Sequence, residues 1–415
     1  MKSSRLISFE ILYNVLKEDA YSNIAVDKAL KGIENKDKAF ISSLVYGVIE
    51  RKITLDYLID RYLNGKTKPK VKIILYLGAY QLYFMNKVPP SAAINESVEL
   101  SKEVGAVYYK NLINAVLHKI DNDRIDINSI EDLSIRYSCP HHLINMWKKA
   151  YGEKNTLSIL NAVNEKPPVF AIPNSLYVDA EECLYELNNC KVEGEIFDNI
   201  IHITSSFDLL ECKAFKDGLF HIEDFSSYNC AKALKVNEND IVLDICSAPG
   251  GKAFTIAERM NNKGSVYAFD LYEHRVKLIE QGAARLGITN IKASVNDAEK
   301  YNPHIPAADK ILCDVPCSGF GIIRRKPEIR YKNLDSIKDL PDIQYNILEI
   351  SSRYLKHGGR IVYSTCTLNK RENERVVEKF LKVNSDFILI EEKTTFPSQN
   401  GGDGFYYAVM ERDND

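Results

Sequence analysis

Two short stretches place a cysteine where a thiol can do chemistry: DVPCSGFG, residues 314–321, with Cys317, and YSTCT, residues 363–367, with Cys366. Each follows an apolar run that reads as a strand, KILCDVP and RIVYSTC, so both thiols stand at strand ends and face one cleft. A cysteine there serves as a core residue, a metal ligand, a redox group or a nucleophile. The metal reading is poor: no second Cys/His pair accompanies Cys313 and Cys317, and Cys313 alternates into the sheet. CPHH, residues 139–142, looks like half a metal site, but Pro140 suits a helix start with both histidines on its first turn. No metal is expected. The nine cysteines are odd in number and scattered, as in reduced proteins of a reducing compartment, which disfavours a structural disulfide. Thiol chemistry remains.

The elements that must position these thiols begin near residue 240, where short β-rich runs alternate with amphipathic helices. That alternation predicts a parallel, doubly wound sheet, whose ligands bind beyond the carboxyl ends of the strands. The first strand ends in DICSAPGGK, residues 244–252, where Gly250 and Gly251 allow a tight turn into a helix N-terminus. The spacing is neither GxGxxG nor a phosphate-binding GxxxxGK[ST] loop, since Ala253 follows Lys252. The second strand ends at Asp270, placed to accept both hydroxyls of a ribose, although alone it would read as a helix cap. The third ends in Asn296–Asp297, within reach of an adenine amino group. A glycine turn and two acids on consecutive strand ends describe a nucleoside pocket. Nothing accepts the phosphates of a second nucleotide, so S-adenosylmethionine fits better than NAD, with Lys252 and backbone groups holding its zwitterionic tail.

A methyltransferase uses a thiol when its target carbon is too weakly nucleophilic. Carbon 5 of cytosine is such an atom, and a thiolate adding to carbon 6 makes it enamine-like. One cysteine suffices for addition; a second can assist the elimination. The base must leave its stack to be reached. No histidine lies near either motif, so activation must come from helix termini or spatial neighbours.

A chain of 415 residues is too long for one core, and 45% hydrophobic with 27% charged residues marks a globular protein. No run of about 18 apolar residues occurs, and the N-terminus lacks a signal peptide's apolar centre, so a cytoplasmic protein without a membrane segment is expected. Residues 1–125 read as helices almost throughout, with 19 Lys+Arg against 14 Asp+Glu, a balance that permits polyanion contact. Residues 126–235 read as a connecting helical and α+β region, with EKPP at 165–168 as a break, and residues 236–415 as the α/β domain. RRKPEIRYK, residues 324–332, carries five positive charges to one negative and is expected to contact phosphates. GKTKPKVK, residues 65–72, reads equally as an RNA contact or a solvated helix start. Tyr76, Tyr80 and Tyr83 read as core, and Glu372 as a charge at a helix N-terminus.

DICSAPGGK, DVPCSGFG with RRKPEIRY behind it, GGRIVYSTCT and RENE together resemble the RNA cytosine-5 methyltransferase family. The resemblance implies a Rossmann-like domain and S-adenosylmethionine as donor. It implies that Cys366 attacks carbon 6 and that Cys317 assists release, the reverse of the DNA enzymes. RLISFEILYNVL and PPSAAINESVELSKEVG resemble the helical RNA-binding domain of the antitermination factor NusB. With LSIRYSCPHHLINMWKKAYG and ILNAVNEKPPVF, this arrangement implies a cytosine of 16S rRNA, or of a small-subunit precursor, as target; nothing in the sequence suggests more than a monomer. The resemblance carries donor binding onto Cys246, Ser247, Ala248, Pro249, Gly250, Gly251, Lys252, Asp270, Arg275, Asp297 and Asp314. Asp314 would also bond the cytosine's amino edge. Ala253 stands where the family has threonine, Glu223 where it has glutamine, and no histidine precedes the closing strand. The alternatives are the same chemistry on tRNA, or an RNA-binding assembly factor that keeps a donor pocket without turnover.

Overall fold

The computed structural model describes residues 2–17, 22–205, 209–398 and 401–414. The chain forms two compact units: Met1–Asn164 with Ile323–Lys332, and Glu165–Ile322 with Asn333–Asp415. The break falls at the glutamate of EKPP. The helices of residues 126–164 thus lie in the first unit and residues 165–235 in the second.

The first unit is helical, as its apolar spacing predicts. Prolines open two of its helices, Pro69–Phe84 and Pro90–Glu103, where the missing N–H costs nothing. Pro69–Phe84 is apolar on every side and therefore central: Ile74, Leu75, Leu77 and Ala79 have no more than 1% exposure. Tyr76 is buried in this core, and Tyr80 and Tyr83 pack against it. The segment Ile323–Lys332 packs into the same unit, which corrects the phosphate-contact reading of RRKPEIRYK. Arg330 is fully buried and Arg324 nearly so, at 0% and 3% exposure. Charge counting cannot tell a solvated cation from one held by backbone carbonyls.

The second unit holds two sheets. Strands β1 (Val169–Pro173), β2 (Gly194–Phe197), β3 (Ile200–Ile203) and β4 (Phe220–Ile222) form an antiparallel sheet in the order β2-β3-β1-β4. The β2–β3 hairpin turns on Asp198 and Asn199, both at positive φ, as a two-residue turn requires. The larger sheet contains β5 (Ile241–Asp244), β6 (Ser265–Asp270), β7 (Ile291–Val295), β8 (Ala308–Asp314), β9 (Leu355–Thr365), β10 (Phe387–Thr395) and β11 (Phe405–Arg412). Its order is β10-β11-β9-β8-β5-β6-β7. Alternate residues feed two cores: Leu243, Ile311 and Ile361 face one side, Val242, Leu312 and Val362 the other.

The sheet is not wholly parallel, as the sequence reading had it: β11 runs antiparallel to both β9 and β10. The short connection between β10 and β11 permits an antiparallel return, whereas a parallel pair needs a crossover of about a dozen residues or more. The architecture is a helical unit joined to a unit that pairs a doubly wound α/β sheet with a small α+β part. Strand β5 lies between β6 and β8, so the sheet's switch point opens at the ends of β5 and β8. No described helix is long and apolar enough to cross a membrane.

Candidate active site

The first wall of the site is the turn after β5. Ile245 N–H donates to Leu312 O at 3.0 Å and Ser247 N–H to Phe269 O at 2.7 Å, so the turn is tied to both neighbouring strands. Gly250 has φ of 111°, and a Cβ there would stand 2.5 Å from the Phe254 ring. Only glycine suits that position. At Gly251 a Cβ would meet nothing nearer than Glu223 at 3.4 Å, which leaves the mouth of the helix Gly251–Arg259 open to a close-lying ligand. Ser247 Oγ and both carboxylate oxygens of Asp244 are buried beside one another, with no further hydrogen-bond partner among the described residues. Burial pushes Asp244 up to about 7.

The charged residues of the site form pairs. Lys252 Nζ lies 2.7 Å from Asp314 Oδ2, and Ser364 Oγ donates to Asp314 Oδ1 at 2.8 Å. Burial alone would lower the Lys252 pKa, but Asp314 and then Glu223 outweigh it and raise it, so the ammonium stays charged. Asp270, 3% exposed, accepts from Tyr272 N–H and pairs with Arg275 at 3.2 Å. Arg275 also donates to Ala248 O at 2.9 Å and so braces the turn against the end of β6. Asp297 lies at the end of β7, where it pairs with Lys300 at 2.8 Å and accepts from Glu299 N–H. The Lys300 hydrogen bond holds the Asp297 carboxyl below its ordinary value.

A buried cluster stands behind the turn. His221, in the middle of β4, lies 3.3 Å from Glu258 and 3.6 Å from Glu223, and Thr255 Oγ1 donates to Glu223 Oε2 at 2.9 Å. Thr255 and Glu258 belong to the helix Gly251–Arg259, so the cluster pins that helix to the smaller sheet. The sequence reading noticed Glu223 only as a departure from a family pattern. Its role as a buried ion partner depends on His221 and Glu258, which no local motif announces.

The second wall carries the thiols. Parallel pairing sets Asp314 of β8 opposite Ser364 of β9, so the loops leaving both strands emerge side by side. Val315 N–H donates to Ser364 O at 3.1 Å and Gly321 N–H to Cys366 O at 3.0 Å. Cys317 Sγ and Cys366 Sγ are consequently 3.2 Å apart, within hydrogen-bond reach and unbonded covalently. The hydrogen bond with Cys366 raises the Cys317 thiol well above its ordinary value, and burial and the Cys366, Glu372 and Asp314 charges add to it. The structure therefore gathers residues 246–252, Asp270, Arg275 and Asp314 with both cysteines at one end of the sheet. The Asp297 side chain engages its neighbours in the turn after β7.

Residues 231–411 match the family model described as 16S rRNA methyltransferase RsmB/F, and residues 2–122 match that of the NusB family. Over 442 residues the chain is 36% identical to a Bacillus subtilis (strain 168) protein named "Probable ribosomal RNA small subunit methyltransferase B", covering 99% of each. A Proteus mirabilis (strain HI4320) protein named "Ribosomal RNA small subunit methyltransferase B" is 30% identical over 427 residues, with 99% of this chain and 100% of that one covered. Among solved structures, PH0851 superposes with a TM-score of 0.83 at 26% identity and covers 99% of both chains. NSun6 from Pyrococcus horikoshii with SFG shares the fold over 66% of this chain and 99% of that one, with a TM-score of 0.60 at 21% identity.

Proposed function

The chain belongs to the RsmB/F family of 16S rRNA methyltransferases, and on that premise we propose that it methylates carbon 5 of a cytosine in 16S rRNA, using S-adenosylmethionine. The observation that carries the reading is the pair of thiols 3.2 Å apart on neighbouring strand ends, beside the glycine turn. The donor supplies an electrophilic methyl group on a sulfonium. The open approach at Gly251, the buried Ser247 and Asp244 oxygens, which have no partner beyond each other, and the buried Asp270 suit that molecule's polar tail and ribose.

The chain's own residues divide the work. Cys366, as thiolate, forms a bond to carbon 6 and pushes electron density to carbon 5, which takes the methyl group. The carbon-5 proton then leaves to a base, the carbon 6–sulfur bond breaks, and Cys366 departs as thiolate. Cys317 serves this second stage. Asp314, anchored by Lys252 and Ser364, keeps lone pairs for the cytosine's amino edge. The NusB-type domain and the names of the full-length relatives support ribosomal RNA over tRNA, and hence a cytoplasmic workplace. Both thiols are in place, which favours an enzyme over an inactive binding factor.

Denaturing gel electrophoresis after incubation with labelled 16S rRNA and S-adenosylmethionine tests the assignment. Cys317→Ala is expected to trap a protein–RNA adduct, and Cys366→Ala to give neither adduct nor methylation. An adduct with Cys366→Ala instead exchanges the roles. Methyl transfer to tRNA but not to rRNA refutes the substrate.

A further inference from the structure

Glu372 has no solvent exposure, yet it lies just beyond the second cysteine loop. It precedes the helix Glu374–Val383, at the N-terminal position expected, but there it is buried among side-chain donors. Its Oε2 accepts from Ser318 N–H at 2.8 Å and from Gln344 Nε2 at 3.0 Å. Its Oε1 accepts from Ser318 Oγ at 2.6 Å and from Asn369 Nδ2 at 2.7 Å. Four donors on two oxygens match an ionised carboxylate, which only accepts.

The donors come from both cysteine loops. Ser318 directly follows Cys317, and Asn369 lies three residues past Cys366. Gln344, on the helix Leu340–Ser352, also donates to Pro316 O at 2.9 Å, so the residues on both sides of Cys317 are held. Because the Ser318 hydroxyl proton goes to Glu372, the 2.7 Å contact between Ser318 Oγ and Thr367 Oγ1 is a hydrogen bond donated by Thr367. The neighbouring Asn373 donates to Thr367 O at 2.9 Å, which closes the network around the second loop.

We propose that Glu372 is the positioning residue that fixes Cys317 and Cys366 at their working separation, by binding both cysteine loops through one buried carboxylate. This rests on the two-thiol reading above. Without it the loops would keep Ser318–Thr367, the bond from Phe320 N–H to Thr367 Oγ1 at 3.2 Å and the backbone bonds, but lose the one group that binds both loops and takes four donors, and a misplacement of about 1 Å costs on the order of a hundredfold in rate.

The test uses the full chain and phenylarsine oxide, which bonds two neighbouring thiols through one arsenic and releases one water. Its binding at peptides containing Cys317 and Cys366 is followed by mass spectrometry. It reports thiol separation without RNA or methyl donor. Glu372→Gln keeps the shape and loses the charge and one acceptor oxygen. It is expected to weaken arsenical binding at this pair at least about tenfold and to lower kcat about a hundredfold, with KM for RNA and for donor within about twofold. If Glu372→Gln does not fold by circular dichroism, Asn369→Ala removes one bond from the Cys366 side and should weaken the arsenical about threefold. Unchanged arsenical affinity in whichever variant folds, or no binding at this pair in the parent protein, overturns the proposal. Weakened arsenical binding upholds it even where the adduct experiment exchanges the cysteine roles, since that result would refute only the chemical assignment.

Discussion

Replacing Arg330 with methionine removes five N–H donors from the place where three helices of the first unit end. Arg330 Nη1 donates to Glu50 O at 2.9 Å, Ser138 O at 2.9 Å and Asn164 Oδ1 at 3.1 Å, and Nη2 to Val163 O at 3.2 Å. These acceptors follow or close the helices Asn35–Glu50, Leu133–Tyr137 and His141–Ala162, whose last carbonyls lack intrahelical partners. A buried cation there satisfies the carbonyls and faces the negative ends of three helix dipoles. Methionine fills the space but strands four acceptors, each worth about 1–3 kcal/mol, while the buried charge no longer has to be desolvated. The net cost should be about 3–5 kcal/mol. The chain's single tryptophan, Trp147, is fully buried in this unit, so its fluorescence in urea reports the right transition. For a slope of about 2 kcal/mol per molar urea, the midpoint should fall by about 2 M. The salt dependence of RNA binding, measured on the folded variant, should be unchanged. A midpoint shift under about 0.5 M, with the salt slope reduced by about one, would make Arg330 a phosphate contact and refute the reasoning.

Gly250→Ala forces a side chain into positive φ and against Phe254, and should lower stability by roughly 2–4 kcal/mol in thermal unfolding. Gly251→Ala meets nothing nearer than Glu223 at 3.4 Å, so it should fold within about 1 kcal/mol of the parent and yet bind S-adenosylhomocysteine at least about tenfold more weakly by calorimetry. At His221, burial pushes the pKa down, but Glu258 and Glu223 outweigh it and hold the value at about 9, against 6.5 unperturbed. A raised folded value contributes stability that is whole below pH 6.5 and lost as pH rises through about 9. His221→Gln should therefore flatten the decline of unfolding free energy between those limits, by on the order of 3 kcal/mol; parallel parent and variant curves would reject the charged cluster.

What the sequence disclosed follows the reach of each signal. Helical spacing and strand-ending motifs are local, and they led to the architecture, the glycine turn and the thiol pair. The direction of β11 was missed because its run of eight residues, like any strand, carries no mark of orientation. Arg330 was misread because its nearest acceptor in the chain is 166 residues away and Glu50 is 280 away. The apolar Ile329 beside it, 6% exposed, was the available hint that this basic segment is partly buried. Glu372 was read as a helix-terminal charge, and its burial went unread although Asn369 and Asn373, both amides, bracket it. Such a concentration of polar side chains around one acid is what a closed buried network requires.

The electrostatics also give a reason for two thiols in place of one. The carboxylates that act on Cys317, Glu372 and Asp314, both raise its pKa, as do burial and its partner sulfur. A thiol so placed keeps its proton at neutral pH and is a poor opening nucleophile, whatever its distance from the base. On the proposed roles, Cys366 across the 3.2 Å contact is the attacking sulfur, and the Cys317 thiol lies beside the sulfur that must later leave. The carboxylate proposed to space the thiols is also among the charges that raise the Cys317 pKa. Position and charge act through the same residue, so on the proposed roles Glu372→Gln should loosen the pair and, in a Cys366→Ala background, shift the pH profile of Cys317 alkylation toward lower pH.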